Sequence, residues 1–405
     1  MSAVNHMSVP YSLNRRQWLL MFALVLAVIG LIIVASASMD MAAIDYKSAG
    51  FFVQRHGIFL AAGIVCGLLA YQIPLSVWQR SGGVLLIVAF ALLAIVLLPG
   101  VGKTVNGSTR WINLGPINIQ VSEIVKVCAL IYVSGYLVRR IEEVRTHFWG
   151  FMKPVAVLMV MSLLLLKQPD FGAIVVIMAS VFIMLFLAGV KLHQFLLVVL
   201  GGVAAASLLV FSSEYRMKRI MAYIDPWAEQ YASGYQLVQS LIAFGRGEWF
   251  GVGLGNSIQK LFYLPEAHTD FVFAVLAEEF GFAGNLFVIG LFAALVITAM
   301  SIGREAERQG KLFNAYLVYG FSIMIGLQAL TNIGVASGLL PTKGLTLPLM
   351  SYGGSSLMVM CVLLAMIMRA DYENQAQSAK QVPAKSIKKK VAAKKPQRTR
   401  KEPAL

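Results

Sequence analysis

Trp18-Leu19-Leu20-Met21-Phe22-Ala23-Leu24-Val25-Leu26-Ala27-Val28-Ile29-Gly30-Leu31-Ile32-Ile33-Val34-Ala35-Ser36-Ala37 holds no charged side chain. As a helix rising 1.5 Å per residue it reaches about 30 Å, the thickness of a bilayer's hydrocarbon core. Arg15 and Arg16 precede it, but no small-residue cleavage site follows, so it reads as a span rather than a leader. Comparable apolar runs recur at 57–71, 82–98, 122–138, 154–166, 173–190, 195–211, 283–301, 312–333 and 355–368. The pattern predicts an all-α integral membrane protein with ten transmembrane helices.

Composition agrees. Of 405 residues, 58% are hydrophobic and 13% charged, where soluble domains carry about 25% charge. Cys66, Cys128 and Cys361 lie far apart in apolar runs, which argues against a disulfide framework or a cysteine metal site.

Lys and Arg in the short loops set the orientation. With the N-terminus inside, twelve fall on the cytoplasmic side and six outside, and an even number of spans returns the C-terminus to the cytoplasm. This gives a cytoplasmic N-terminal segment over 1–17, a ten-span membrane domain over 18–371 and a disordered basic cytoplasmic tail over 372–405. The tail carries ten Lys and Arg between Lys380 and Lys401, part of a net charge of +15. A polybasic run beside a span is attracted to anionic lipid heads, so a membrane surface is its expected partner, with no nucleic acid. Two outer segments are long, 99–121 and the extracytoplasmic loop 212–282 between spans seven and eight. A loop of the latter length in a compact protein usually carries function, and its aromatic stretch 235–250 suggests helices at the membrane surface. The small-residue stretch 201–206 is expected to pack within the bundle.

Candidate chemistry gathers at outer span ends. Asp270 precedes an apolar helical run. It can cap that helix, or act as a general base beside His268. Glu278 and Glu279 follow on the same apolar run, where ionisable groups mark an interior or a cavity. Arg55, Arg110, Lys126 and Lys343 offer cations, and Asp170 opens the sixth span. Each alone can be an interfacial anchor, and Lys126 can pair with Glu123 three residues before it. Together they could hold a pyrophosphate with a divalent ion as helper. The Pro- and Gly-broken segment 338–356 must be buried in protein or line a cavity if it lies at membrane depth.

Several motifs combine: Asn106-Gly107 to Arg110-Trp111, Gln168-Pro169-Asp170, Ser233-Gly234-Tyr235-Gln236, Ala243-Phe244-Gly245-Arg246-Gly247, His268-Thr269-Asp270-Phe271, and Leu340-Pro341-Thr342-Lys343-Gly344 through Ser355-Ser356. With them, residues 19–372 resemble the SEDS family, the FtsW and RodA proteins of bacterial wall synthesis. Leu264-Pro265-Glu266-Ala267-His268 favours the FtsW, or division, branch.

The resemblance implies a peptidoglycan glycosyltransferase that polymerises lipid II at the division septum of the bacterial inner membrane. It implies Asp270 as catalytic base, and Arg55, Arg110 and Lys126 as pyrophosphate or sugar contacts. Asp170, His268 and Lys343 join them as substrate-binding residues. Magnesium or manganese is the expected helper, without a dedicated ligand cage, and no organic cofactor is expected. The implied partners are a class B penicillin-binding transpeptidase of the FtsI type and the FtsQ, FtsL and FtsB group. A lipid II flippase and a non-catalytic division scaffold stay open as alternatives.

Overall fold

The computed structural model describes residues 14–393 except 106, 114, 116, 117, 213 and 343. It is a predominantly helical, multi-pass membrane protein. In chain order the elements are α1 (Arg15–Tyr46), α2 (Phe51–Gln72), α3 (Leu75–Ile95), strands β1 (Gly102–Val105), β2 (Ser108–Asn113) and β3 (Asn118–Gln120), then α4 (Val121–Thr146), α5 (Phe148–Lys167), α6 (Phe171–Leu187), α7 (Leu192–Phe211), α8 (Glu214–Ile224), α9 (Tyr235–Gly247), α10 (Val272–Arg308), α11 (Leu312–Ala336) and α12 (Gly354–Ala393). Among the described residues, eight helices are long and apolar enough to cross a membrane: α1 to α5 and α10 to α12. Two apolar stretches, Phe171–Leu187 and Leu192–Ala204, are shorter.

Burial grades the helices. α4 and α11 are the innermost, and α2 and α3 show most of their surface to the outside. Small residues permit the closest approaches. A Cβ on Gly67 of α2 would stand 3.0 Å from the Cys361 carbonyl of α12, and one on Gly30 of α1 would stand 2.5 Å from the Met350 Cα. The stretch 201–206 behaves otherwise: a Cβ on Gly201 or Gly202 meets nothing within 4 Å, and Leu197, Leu200 and Leu208 are exposed. Among the described residues, α7 therefore does not pack Gly201 and Gly202 inside the bundle as expected.

Three features depart from the sequence reading. First, residues 102–120 form a three-stranded antiparallel sheet in the order β1-β2-β3. Val105 pairs with Ser108, leaving a two-residue turn that contains Gly107 at φ +75, and Trp111 pairs with Gln120. An Asn-Gly pair between β-favouring residues is a hairpin composition, so the signal was present in the sequence. The Ser355 hydroxyl at the start of α12 clamps β3, donating to the Asn118 carbonyl (3.1 Å) and accepting from the Gln120 amide (2.9 Å).

Second, α10 starts at Val272, eleven residues before the predicted eighth span, and breaks at Gly281 (φ +66). The loop after α9 stitches this break. Val252 and Gly253 amides donate to the Glu278 and Glu279 carbonyls at 3.0 and 3.1 Å, and Phe282 and Ala283 amides donate to the Glu248 and Trp249 carbonyls at 2.9 and 3.0 Å. Backbone groups freed by the kink thus find partners. Third, α12 continues as helical backbone to Ala393, so the first part of the expected disordered tail is helix. Its Ala-, Gln- and Lys-rich composition favours that state.

Gly281→Ala tests the stitched kink. The added Cβ would lie 2.4 Å from the Gly251 amide nitrogen, at a φ that L side chains rarely adopt. The variant is expected to lose about 2 kcal/mol or more of stability, read as a lower melting temperature in detergent.

Candidate functional site

A cavity of about 1000 Å³ opens between the sheet, the loop that leads into α10 and the segment before α12. Its polar wall includes Arg55 from α2, Lys103 and Arg110 from the sheet, Glu123 from α4, Asp170, Glu266, Asp270, Tyr352 and Ser356. Apolar residues Phe59, Leu166, Phe171, Val210 and Ile220 complete it. An amphiphile with an anionic head and a hydrocarbon tail matches that division.

Asp270 ends the loop that leads into α10. One amide on α11 holds its backbone, and a second holds the segment beside it. Asn332 Nδ2 donates to the Asp270 carbonyl (2.8 Å) and to the Leu345 carbonyl (2.6 Å), while Gln328, one turn away, donates to the Thr346 carbonyl (3.1 Å). Asn332 and Gln328 are buried, and sequence reading missed both. The available signal was a pair of amides four residues apart in an otherwise apolar helix, which places them on one face. Gly344 gives the Asp270 carboxylate its space, since a Cβ there would stand 2.8 Å from Oδ2.

The surroundings tune this acid. Asp270 opens partly to the cavity, yet burial pushes its carboxyl from 3.8 up to about 7. The negative charges of Glu266 and Asp170 push the same way, and Arg110 opposes them. Glu266 sits at φ +59 on the turn before Asp270, and its carboxylate accepts the Thr269 hydroxyl at 2.5 Å.

Asp170 has a different task. It caps α6 by accepting from the Ala173 amide (3.3 Å), takes the Ser122 hydroxyl (2.7 Å) and the Gln120 amide (3.3 Å), and faces Arg110 Nη1 at 3.6 Å. It orients Arg110 from behind. The Arg55 guanidinium lies over the Phe51 ring at 4.7 Å and beside the Tyr352 hydroxyl.

Two expected contacts stand back from the wall. His268 is buried against the rings of Phe52 and Tyr352, at centroid distances of 4.5 and 5.7 Å, and its backbone carbonyl accepts from the Tyr352 amide. Burial pushes its pKa down, with Glu266 partly offsetting, so it braces the loop as a neutral ring. Lys126 is fully buried and bonds Glu123 Oε1 (2.8 Å) and Gln328 Oε1 (2.9 Å) beneath the floor. Lys343 lies outside the described residues.

The acids singled out further along α10 form a separate hub. Glu278 accepts from Arg246 (2.6 Å), from the Ser257 hydroxyl and from the Ile258 and Gln259 amides. Glu279 accepts from Lys260 (3.0 Å) and from Ser36 of α1 (2.5 Å). These bonds fasten the loop after α9 to α10 and α1. Among the described residues, no group of three or more His, Cys, Asp or Glu side chains could hold a metal ion. The carboxylates nearest Asp270 are engaged with donors instead, so the residues do not fit a resident metal.

Fold and site together define a multi-pass membrane protein that sets a buried carboxylate against guanidinium groups in a cavity with polar and apolar walls. The chain belongs to the FtsW/RodA/SpoVE family of cell cycle proteins, whose model matches residues 16–376. A relative from Hahella chejuensis, called a probable peptidoglycan glycosyltransferase FtsW, is 57% identical over 351 residues, covering 87% of this chain and 88% of its own. A solved structure on the structural coordination of polymerization and crosslinking by a peptidoglycan synthase complex aligns with a TM-score of 0.74 and 27% identity, over 88% of this chain and 97% of the other. The rod shape determining protein RodA of Thermus thermophilus aligns with a TM-score of 0.65 and 26% identity, over 88% and 96%.

Gly344→Ala should separate geometry from stability. The new methyl group displaces a movable carboxylate rather than backbone. The expected result is a fall in turnover of about tenfold or more with little change in melting temperature, since small misplacements of a reacting group cost this much.

Proposed function

We infer that this chain is a peptidoglycan glycosyltransferase of cell division, and that Asp270 is its base. The observation that carries the assignment of the base is the Asp270 carboxyl, poised near neutrality on the wall of a cavity that also presents Arg55 and Arg110. A base works best when its pKa lies close to the operating pH.

The substrate in this reading is lipid II, a disaccharide-pentapeptide on undecaprenyl pyrophosphate. Ionised Asp270 takes the proton of the acceptor's GlcNAc 4-hydroxyl. The freed oxygen pair forms the bond to C1 of the donor's MurNAc from the face opposite the leaving group. The C1–oxygen bond to pyrophosphate breaks, undecaprenyl pyrophosphate departs and the anomeric configuration inverts. Pyrophosphate is a good leaving group that needs charge neutralisation more than an acid. Arg55, Arg110 and Lys103 supply that positive field, and Asp170 keeps Arg110 aimed. Any magnesium or manganese ion belongs on the substrate's own pyrophosphate in this scheme, and no step depends on it. The apolar wall around Phe59, Val210 and Ile220 suits the start of the lipid tail.

The two shorter apolar helices, α6 and α7, cross the membrane in the same proposal. The count is then ten spans, with both termini in the cytoplasm and the loop 212–282 outside. A class B penicillin-binding transpeptidase and the FtsQ, FtsL and FtsB group are the proposed partners at the septum. Similarity to a structure of a peptidoglycan synthase complex supports the first of these.

Polymerisation of purified lipid II, with and without the transpeptidase, tests the reading. Asp270→Asn should lower turnover by about 100-fold or more, the usual contribution of a general base. A variant as active as wild type would overturn Asp270 as the base, and since the N-cap position of α10 is Phe271 with no side-chain cap bond, it would leave Asp270 no capping role either. The pH profile gives a second check. Because Asp270 must be ionised, wild-type activity should rise with pH to half its maximum near 7. Stability runs the other way: a carboxyl raised on folding favours the folded state most at low pH and withdraws that contribution between about 3.8 and about 7. Asp270→Asn carries no such charge and should melt no lower than wild type at pH 8.

A further inference from the structure

The cavity wall holds a carboxylate that the reaction above leaves idle. Glu123 stands in the first turn of α4, 3% exposed, on the same wall as Asp170, Thr346 and Ser356. Its Oε1 accepts from Lys126 Nζ at 2.8 Å. Its Oε2 is enclosed and, among the described residues, has no hydrogen-bond partner. A buried polar atom without a partner is rare and calls for a physical reason.

Lys126 is not free to supply it. Its ammonium is shared with Gln328 Oε1 at 2.9 Å, and Gln328 in turn donates to the Thr346 carbonyl at 3.1 Å. Thr346 bonds Ser356 through their hydroxyls at 2.9 Å. Lys126 thus belongs to a brace beneath the floor that fixes one oxygen of Glu123 and leaves the other over. The positive end of the α4 dipole tolerates an acid in the first turn. It does not require that this acid line a cavity with one oxygen unbonded.

The charge at the site decides what it can take. A carboxylate oxygen repels phosphate, which the Arg55 and Arg110 side of the cavity attracts. It accepts well from a neutral donor, a hydroxyl or an amide N–H. We propose that Glu123 is a substrate-binding residue whose Oε2 accepts a hydrogen bond from a sugar hydroxyl or acetamido N–H of the substrate in this cavity. Lys126 then acts as the positioning residue that holds Glu123. The proposal rests on the glycosyltransferase reading.

Two variants of the full chain isolate the acceptor: Glu123→Gln/Lys126→Met, which keeps a side-chain carbonyl, and Glu123→Met/Lys126→Met, which removes it. Both drop the ion pair together, so neither strands a buried charge, and any loss from the missing lysine is common to both. Lipid II polymerisation is measured alongside wild type. Inactive wild type with its transpeptidase would defeat the glycosyltransferase reading rather than this one. With wild type active, the methionine pair should show a KM for lipid II raised about tenfold or more, the order expected when a bound donor loses its partner. The glutamine pair should recover part of it. The acid limb of the pH profile near 7 should stay in both. Equal KM values for the two pairs would overturn the proposal and leave Glu123 as a brace. Should the methionine pair fail to fold, the single Glu123→Gln takes its place. Lys126 then claims the amide carbonyl and turns an N–H₂ toward the substrate's donor, so a raised KM is again expected and a wild-type KM overturns the proposal.

Discussion

Non-helical backbone at membrane depth must have every carbonyl and amide satisfied within the protein. Here that duty falls on α11. Asn332 bridges the carbonyls of Asp270 and Leu345, and Gln328 holds the next one, Thr346. Two neighbouring positions on one buried helix face therefore fix both the loop that carries Asp270 and the broken segment opposite it. The Tyr352 amide closes the ring by donating to the His268 carbonyl. Without these bonds, neither the position of Asp270 nor the shape of the cavity would be defined.

Electrostatics then assign the acids by what each one touches. Asp170 accepts from three donors and faces Arg110, so it serves as a positioning group. Glu278 and Glu279 are consumed in tying the loop after α9 to α10 and α1. Asp270 has a Cβ-free glycine beside it and other carboxylates near it, and it keeps its proton to about pH 7. Acids of one chemical type thus cap a helix, fasten a loop or hold a proton near neutrality because burial and neighbours differ.

The placement of the long loop follows from a kink. Gly281 breaks α10, and the freed backbone groups pair with residues 248–253, so the long loop lies against the helix instead of hanging free. The sheet of residues 102–120 brings Arg110 to the cavity from another direction, anchored on Ser355. Both devices place charges from distant parts of the chain around one volume.

Much of this was legible in the residues themselves. Apolar runs about as long as a bilayer is thick fix the class of fold, because hydrocarbon admits little else. His268-Thr269-Asp270-Phe271 and its companion motifs marked Asp270 and Arg110, and Arg55 stood out as a cation at the end of a span; all three line one cavity. The hairpin was hidden inside a segment read as loop, although Asn106-Gly107 carried its signature. The early start of α10 was masked by Glu278 and Glu279, whose charges end an apolar run without ending the helix. What periodicity and composition cannot supply is which partner a polar group meets. Lys126 resembled a ligand for pyrophosphate, yet Gln328, 202 residues away, helps draw it under the floor. His268 was expected to touch substrate, yet the rings of Phe52 and Tyr352 enclose it. The sequence by itself determined the multi-pass helical class and the inventory of charges, since these depend on local chemistry. Only the tertiary structure decided the role of each charge, since a role depends on neighbours and burial that long-range packing creates.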